Sequence, residues 1–365
     1  MGEIERLDSV GQCEIYVCDG FQQAKDKMVE MIDAGLVSIL YDVKLKEYCD
    51  NFARSFRGGN QVIFTTCLES EIPDHTRFII GIGTGTIADK VRRRASSLGI
   101  DCALIFSAPT TDTILMPFAH SANFKAVFLD RSLVDLCPRE CVASGWGIVL
   151  AEPLSSFEKY YNEKVLDKKT TNNKYDILSI ENDNINLAYR LLQMSFCNCG
   201  TDNATVMAKV LYDNARRQGI RPRLVGEYKF ISASVISSLY ENYLSSPTID
   251  CGIPPAHDIN LNALSKLTGR SKNNLLKAFD FFDVDGYFRV GYILSEYRLD
   301  LLDKLRAVDF HSAQKRWRRL YADAGYWLKS TFLSNSLLTA MRLSAEIGNG
   351  LLRYIAESGF LEVCQ

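Results

Sequence analysis

The sequence predicts an α/β fold: a parallel-sheet domain at the N-terminus, then an all-helical domain at the C-terminus. Three observations predict it. Short apolar runs alternate with amphipathic stretches as far as Asp130. From Leu178 onward apolar residues recur at helical intervals, as at Ile185, Leu187, Leu191, Leu192 and Phe196. A glycine-rich turn separates a strand candidate from a helix candidate. Strands alternating with helices give a parallel sheet with helices on both faces. The cleft between two such domains is the default ligand site.

The elements follow in order. Leu36–Tyr41 is an apolar run opened by Gly35 and predicts a strand. Lys44 to Phe56 has helical spacing, and Gln61–Thr66 predicts the next strand. Thr76 to Ile82 predicts a third strand, and Ile87 to Leu98 a helix. Ala103–Phe106 and Lys125–Leu129 complete the strand set. The polar stretch Asp167–Lys174 predicts an exposed loop near the boundary. The expected domains are therefore residues 1–160 and 175–365, with an extra helical tail from about 296. The tail's run Leu337, Leu338, Met341, Leu343, Ile347, Leu351, Leu352 and Ile355 reads as helical core or as a subunit interface.

Composition bounds the function. The chain has 365 residues, enough for two domains. It is 47% hydrophobic and 24% charged, as ordinary globular domains are. A net charge of −2 draws it to neither nucleic acid nor an anionic membrane. The basic run Lys90 to Arg94 reads as a solvated helix face, and Lys315, Arg316, Arg318 and Arg319 flank Trp317 without making a nucleic-acid site. No apolar run approaches the roughly 20 residues that span a bilayer, and Met1–Arg6 carries no signal core. A cytoplasmic protein is expected, with its 11 cysteines reduced. No cysteine pair has C-x-x-C spacing beside a histidine, so no structural zinc is expected. The only histidines are His75, His120, His257 and His311, which limits metal and acid–base chemistry.

Gly81-Ile82-Gly83-Thr84-Gly85-Thr86 follows a strand and precedes a helix. Glycines admit a phosphate close to the backbone, and a helix N-terminus offers free N–H groups. The G-x-G-x-x-G fingerprint is not met, because Thr86 stands at its third glycine.

The turn and its sequel, Gly81 to Asp89, resemble the G-x-G-G-G-S-x-x-D segment of the dehydroquinate synthase-like and iron-containing alcohol dehydrogenase superfamily, with Thr84 replacing the middle glycine. Ser107-Ala108-Pro109-Thr110-Thr111-Asp112 is similar to a shortened P-T-x-x-S-T-D turn, and Pro117-Phe118-Ala119 resembles the S-P-F-A that closes it. Tyr41-Asp42 matches the end of the first strand, where these enzymes place an acidic residue. Asn273–Phe279 and Phe288–Leu294 bring the likeness closest to glycerol-1-phosphate dehydrogenase. The resemblance covers roughly residues 30 to 295 in patches. It implies a Rossmann-like N-terminal domain and a helical domain for metal and substrate. It implies NAD or NADP as cofactor, with Gly83, Thr84, Gly85, Thr86 and Asp89 at the pyrophosphate. Asp42 would stand near the ribose, Thr110 and Thr111 at the nicotinamide, and Asp112 at substrate hydroxyls. His120, just after the Pro117 turn, could reach the cleft and is the candidate catalytic histidine beside Asp112; a surface or capping role is its other reading.

The resemblance also implies a zinc or iron held by one Asp and two His. Those positions fall here on Ile148, after Gly145-Trp146-Gly147, on Thr205, and on Val225, before Gly226-Glu227. Ile and Val offer no lone pair, and Thr is a poor zinc ligand. No bound metal is therefore expected. The metal polarises the substrate hydroxyl in such enzymes. Three readings follow: a metal-free relative keeping a nucleotide- or phosphate-binding cleft, an active NAD(P)-dependent oxidoreductase on a small polyol phosphate, or an interaction protein using its C-terminal helices. The first is favoured, with a homo-oligomer expected.

Overall fold

The computed structural model describes residues 4–10, 12–57, 59–116, 122–167, 183–197, 202–217, 219, 224–247, 261–262, 265, 271–273, 284–320, 340–341, 350–358 and 360. Two compact units are interleaved in sequence. One comprises Met1–Val149 and Leu178–Cys199, the other Leu150–Ile177 and Gly200–Gln365.

The first unit is built on a seven-stranded sheet. Its strands are β1 (Glu5–Val10), β2 (Cys13–Cys18), β3 (Gly35–Tyr41), β4 (Gln61–Thr66), β5 (Phe78–Gly83), β6 (Asp101–Phe106) and β7 (Ala126–Asp130). In space they run β1-β2-β7-β6-β5-β3-β4. Only the β1–β2 hairpin is antiparallel; every other pairing is parallel. The hairpin has no counterpart among the predicted strands. β1 is mostly polar, as an edge strand tolerates, and β2 reads as a short apolar run without clear alternation.

The helices are α1 (Phe21–Val29), α2 (Lys46–Ser55), α3 (Gly85–Leu98), the short α4 (Arg131–Val134), α5 (Arg139–Val165) and α6 (Asn184–Cys197). Burial on both faces makes the inner strands nearly continuous apolar runs. Along β6, Cys102, Leu104 and Phe106 point to one core, shared with Ile87, Val91 and Ala95 of α3 and Ala188 and Leu192 of α6. Ala103 and Ile105 point to the other, shared with Ala24 and Met28 of α1 and Cys49 and Phe52 of α2. The period of two in strands sends alternate residues to opposite faces. Helices therefore cover both sides of the sheet, as expected from the sequence.

The second unit is helical. It takes the C-terminal half of α5, then α7 (Asn203–Arg217), α8 (Val225–Ser245), α9 (Val284–Ala307), α10 (Phe310–Leu320) and α11 (Leu351–Glu357). Its core joins Leu154, Tyr161, Leu211, Ile236, Tyr240 and Leu294. Leu351, Leu352 and Ile355 of the tail are buried in that same core, and Met341 packs against it. Leu337, Leu338, Leu343 and Ile347 lie outside the described residues. Among the described residues no helix is long and apolar enough to cross a membrane.

Candidate ligand-binding turn

The sheet order places a switch point between β3 and β5. From β3 the chain goes to β4 on one side and then to β5 on the other. Open α/β sheets bind ligands outside the carboxyl ends of such strands. Asp42 and the glycine turn both lie there. The Asp42 amide donates to the Ile82 carbonyl at 3.0 Å, and the Ser107 amide to the Gly83 carbonyl at 3.1 Å. The ends of β3, β5 and β6 are thereby held side by side. The Asp42 carboxylate is half-buried and accepts from the Lys44 amide at 2.9 Å, which fixes its orientation.

The three glycines of the turn do different work. A Cβ on Gly81 would meet Leu104 Cδ1 at 2.9 Å, and one on Gly83 would meet Ile87 Cγ1 at 2.7 Å. Both let α3 lie close on the sheet. A Cβ on Gly85 would meet only Thr111 Cγ2, at 3.6 Å. That is ordinary van der Waals contact, so no close packing demands glycine at this position.

Thr84 is the N-cap residue of α3 but its side chain does not cap the helix. Its hydroxyl donates instead to the Ala108 carbonyl at 3.1 Å and stands 3.3 Å from the Thr110 hydroxyl. The Ile87 amide is taken by the Thr84 carbonyl at 2.8 Å. Among the described residues the Gly85 and Thr86 amides have no acceptor, the arrangement that suits an anion at a helix N-terminus. Asp89 lies one turn on, exposed. Partial desolvation nudges its carboxyl upward, against the pull of Arg92 and Arg93.

The threonine turn faces this point. Thr111 and Thr113 hydroxyls bond at 2.9 Å, and the Thr113 amide donates to Thr111 Oγ1 at 3.2 Å. Helix α5 supports the turn from behind. A Cβ on Gly145 would fall 2.4 Å from the Pro109 carbonyl oxygen, so only glycine allows this approach. Asp112 is half-buried on the same turn. The structure thus gathers Asp42, Gly83, Thr84, Gly85, Thr86, Thr110 and Thr111 around the strand ends. His120 lies outside the described residues.

The basic run of α3 is not a uniformly solvated face. Arg93 pairs with Glu69 at 3.1 Å and Arg94 with Asp74 at 2.6 Å at the surface. Arg92, however, is 1% exposed. It stands one turn after Ala88 and beside Val91, on the helix face that packs on the sheet. Its Nε donates to the Ala122 carbonyl at 2.8 Å and its Nη1 to the Ile114 carbonyl at 3.1 Å. The helical phase of Ala88, Val91 and Ala95 was the sequence signal that separates Arg92 from its neighbours.

The residues at the implied metal positions do not fit a metal. Ile148 is an apolar side chain buried within α5. Val225 opens α8 and is 43% exposed. Thr205 lies in the first turn of α7, its amide donating to Asp202 at 2.6 Å. Among the described residues no three His, Cys, Asp or Glu side chains are grouped to hold an ion. His75 and His311 are exposed, and His257 lies outside the described residues.

A buried polar group in the helical unit had no sequence signature. Lys229 Nζ lies 3.3 Å from Asp202, both side chains almost fully buried. Asp202 also accepts from Ser155 at 2.6 Å. Burial pushes its carboxyl up, but Lys229 and these hydrogen bonds outweigh that and hold it below the ordinary value. Glu158 accepts from Tyr240 at 2.7 Å and from Asn203 Nδ2 at 2.8 Å. Burial, with Asp202 nearby, pushes Glu158 up to about 7.

No protein-family model matches the chain, and no curated protein matches it. Solved structures do. The substrate- and cofactor-free aldehyde reductase YqhD from E. coli is similar over 100% of both chains, with 12% identity and a TM-score of 0.50. The likeness is one of fold. Glycerol dehydrogenase from Schizosaccharomyces pombe matches 84% of this chain and 90% of its own, at 14% identity and a TM-score of 0.44. Sulfoacetaldehyde reductase from Bifidobacterium kashiwanohense in complex with NAD+ matches 82% of this chain and 86% of its own, at 11% identity and a TM-score of 0.45.

Proposed function

We propose that this chain is a divergent, glycerol-1-phosphate dehydrogenase-like member of the dehydroquinate synthase-like and iron-containing alcohol dehydrogenase superfamily. In this reading it binds a nucleotide or phosphate at the glycine turn and has lost the metal-dependent dehydrogenation of its relatives. One observation supports the binding reading: the amides of Gly85 and Thr86, which have no acceptor among the described residues, stand at the N-terminus of α3 beside the switch point of the sheet. A diphosphate placed there would receive both N–H groups and the field of the helix N-terminus. Thr84 is turned away to Ala108, which leaves those amides to the ligand. The Asp42 carboxylate suits a ribose 2′-hydroxyl and repels a 2′-phosphate, which favours NAD over NADP.

Ile148, Thr205 and Val225 support the loss of the metal, since none supplies a zinc ligand in its place. Without that Lewis acid, hydride transfer lacks its main electrostatic stabilisation. The test loads the purified protein with zinc or iron and measures both metal content and dehydrogenase activity. The expected result is no stoichiometric metal and no turnover of glycerol or dihydroxyacetone phosphates. One metal per chain with turnover would instead establish the second reading, an NAD(P)-dependent oxidoreductase on a small polyol phosphate. That reading is favoured by the retained turn, with Thr110 and Thr111 toward the nicotinamide and Asp112 at substrate hydroxyls. We also expect a cytoplasmic homo-oligomer.

A further inference from the structure

We propose that Arg92 is a positioning residue for this site: its guanidinium holds the threonine turn in place opposite Gly85. The proposal rests on the glycine-turn binding reading. A buried guanidinium is costly unless its donors are satisfied. Here two of its nitrogens are spent on main-chain carbonyls, of Ile114 and Ala122, and the side chain is 1% exposed. Charge-assisted bonds of this kind are roughly twice as strong as neutral ones. They tie two points of the chain after β6 to the helix that begins at Gly85. Ile114 directly follows Thr113, whose hydroxyl and amide fix Thr111. The Thr111 methyl is the atom nearest to a Cβ at Gly85. A second clamp acts at the next residue, where the Leu115 amide donates to Ser195 Oγ of α6 at 2.6 Å. Arg92 therefore sets the wall of the site that faces the glycine turn without touching a ligand itself.

The consequence is a split between two ligands. ADP needs the glycine turn and the Asp42 side; NAD+ also needs the threonine wall. The experiment compares the wild type with Arg92→Met, Arg92→Lys and Ser195→Ala by calorimetry with ADP and with NAD+. Amide hydrogen exchange over residues 107–116 is measured on the same samples without ligand. Arg92→Met is expected to speed exchange in 107–116 while the β5 and β6 amides stay protected. It should weaken NAD+ by about tenfold, roughly one charge-assisted bond's worth, and ADP by less than about twofold. Arg92→Lys should fall between, and Ser195→Ala should show the same pattern more weakly. Unchanged exchange in 107–116, or equal weakening of ADP and NAD+, overturns the proposal. If Arg92→Met does not fold, the lysine and Ser195 variants decide by the same criteria. If the wild type binds neither ligand, the binding reading fails by itself, and the exchange measurement still decides whether Arg92 holds the turn.

Discussion

Gly83 and Gly85 stand two residues apart and answer opposite demands. Gly83 is needed for packing, because a methyl there would drive into Ile87. Gly83→Ala should destabilise the protein by about 1–3 kcal/mol through overpacking, read from chemical denaturation. Gly85→Ala meets only ordinary contact with Thr111 and should leave stability within about 0.5 kcal/mol. The sequence displayed both glycines alike; only the neighbours of the absent Cβ tell them apart. Glu158 gives a second residue-scale test. Its carboxyl is raised from an ordinary value of 4.5 to about 7 in the folded protein. Between those values the folded state binds more protons than the unfolded one. This contribution is full below the unfolded value and is lost as pH rises through 7. Asp202, held low, acts in the opposite sense: its contribution is present above its unfolded value and is lost on acidification. Denaturation from pH 5 to 8 should therefore show a stability loss of the order of a few kcal/mol from Glu158. Glu158→Gln should flatten that slope; an unchanged slope would show that another group carries it. Nothing in the spacing of Glu158, Asp202 and Lys229 marked them as partners, since they come from α5, the residue before α7, and α8, far apart in sequence.

At the level of elements, the inner strands were legible because both faces are buried and each reads as an apolar run. β4 (Gln61–Thr66) matches its predicted bounds, and β3 gains only Gly35. The predicted helix from Lys44 is a 3-10 turn at Val43–Leu45 followed by α2, because Asp42 caps the turn through the Lys44 amide. The β1–β2 hairpin was not legible. Glu5 and Arg6 of its edge strand are exposed, and β2 pairs with β7, more than a hundred residues away. The C-terminal helix tests the role of the tail. Leu351, Leu352, Tyr354 and Ile355 are all buried in the helical core. Each contributes about 1.5–3 kcal/mol by burial, so removing residues 350–365 should unfold the helical unit. Limited proteolysis and circular dichroism check this. A truncated chain that keeps its helical signal and merely changes oligomeric state would assign the tail to an interface instead.

For the molecule as a whole, the alternation of strands and helices and the later helical spacing were enough to give the architecture. The interleaving was not legible, because α6 returns to the sheet from within the helical half of the sequence. The ligand turn was legible in part: its glycines and threonines are local in sequence. Arg92 and Ser195, which support it, depend on tertiary contact. The central claim is that the glycine turn binds a nucleotide without a metal. The most direct measurement is calorimetry with NAD+ and ADP in metal-free buffer, on the wild type and on Gly85→Asp. An aspartate in the first turn of α3 suits the helix dipole, worth about 0.3–1 kcal/mol, and should keep the fold while repelling phosphate. One saturable site on the wild type, lost in Gly85→Asp with thermal stability retained, is the expected result. No binding to the wild type, or binding indifferent to Gly85→Asp, would contradict it.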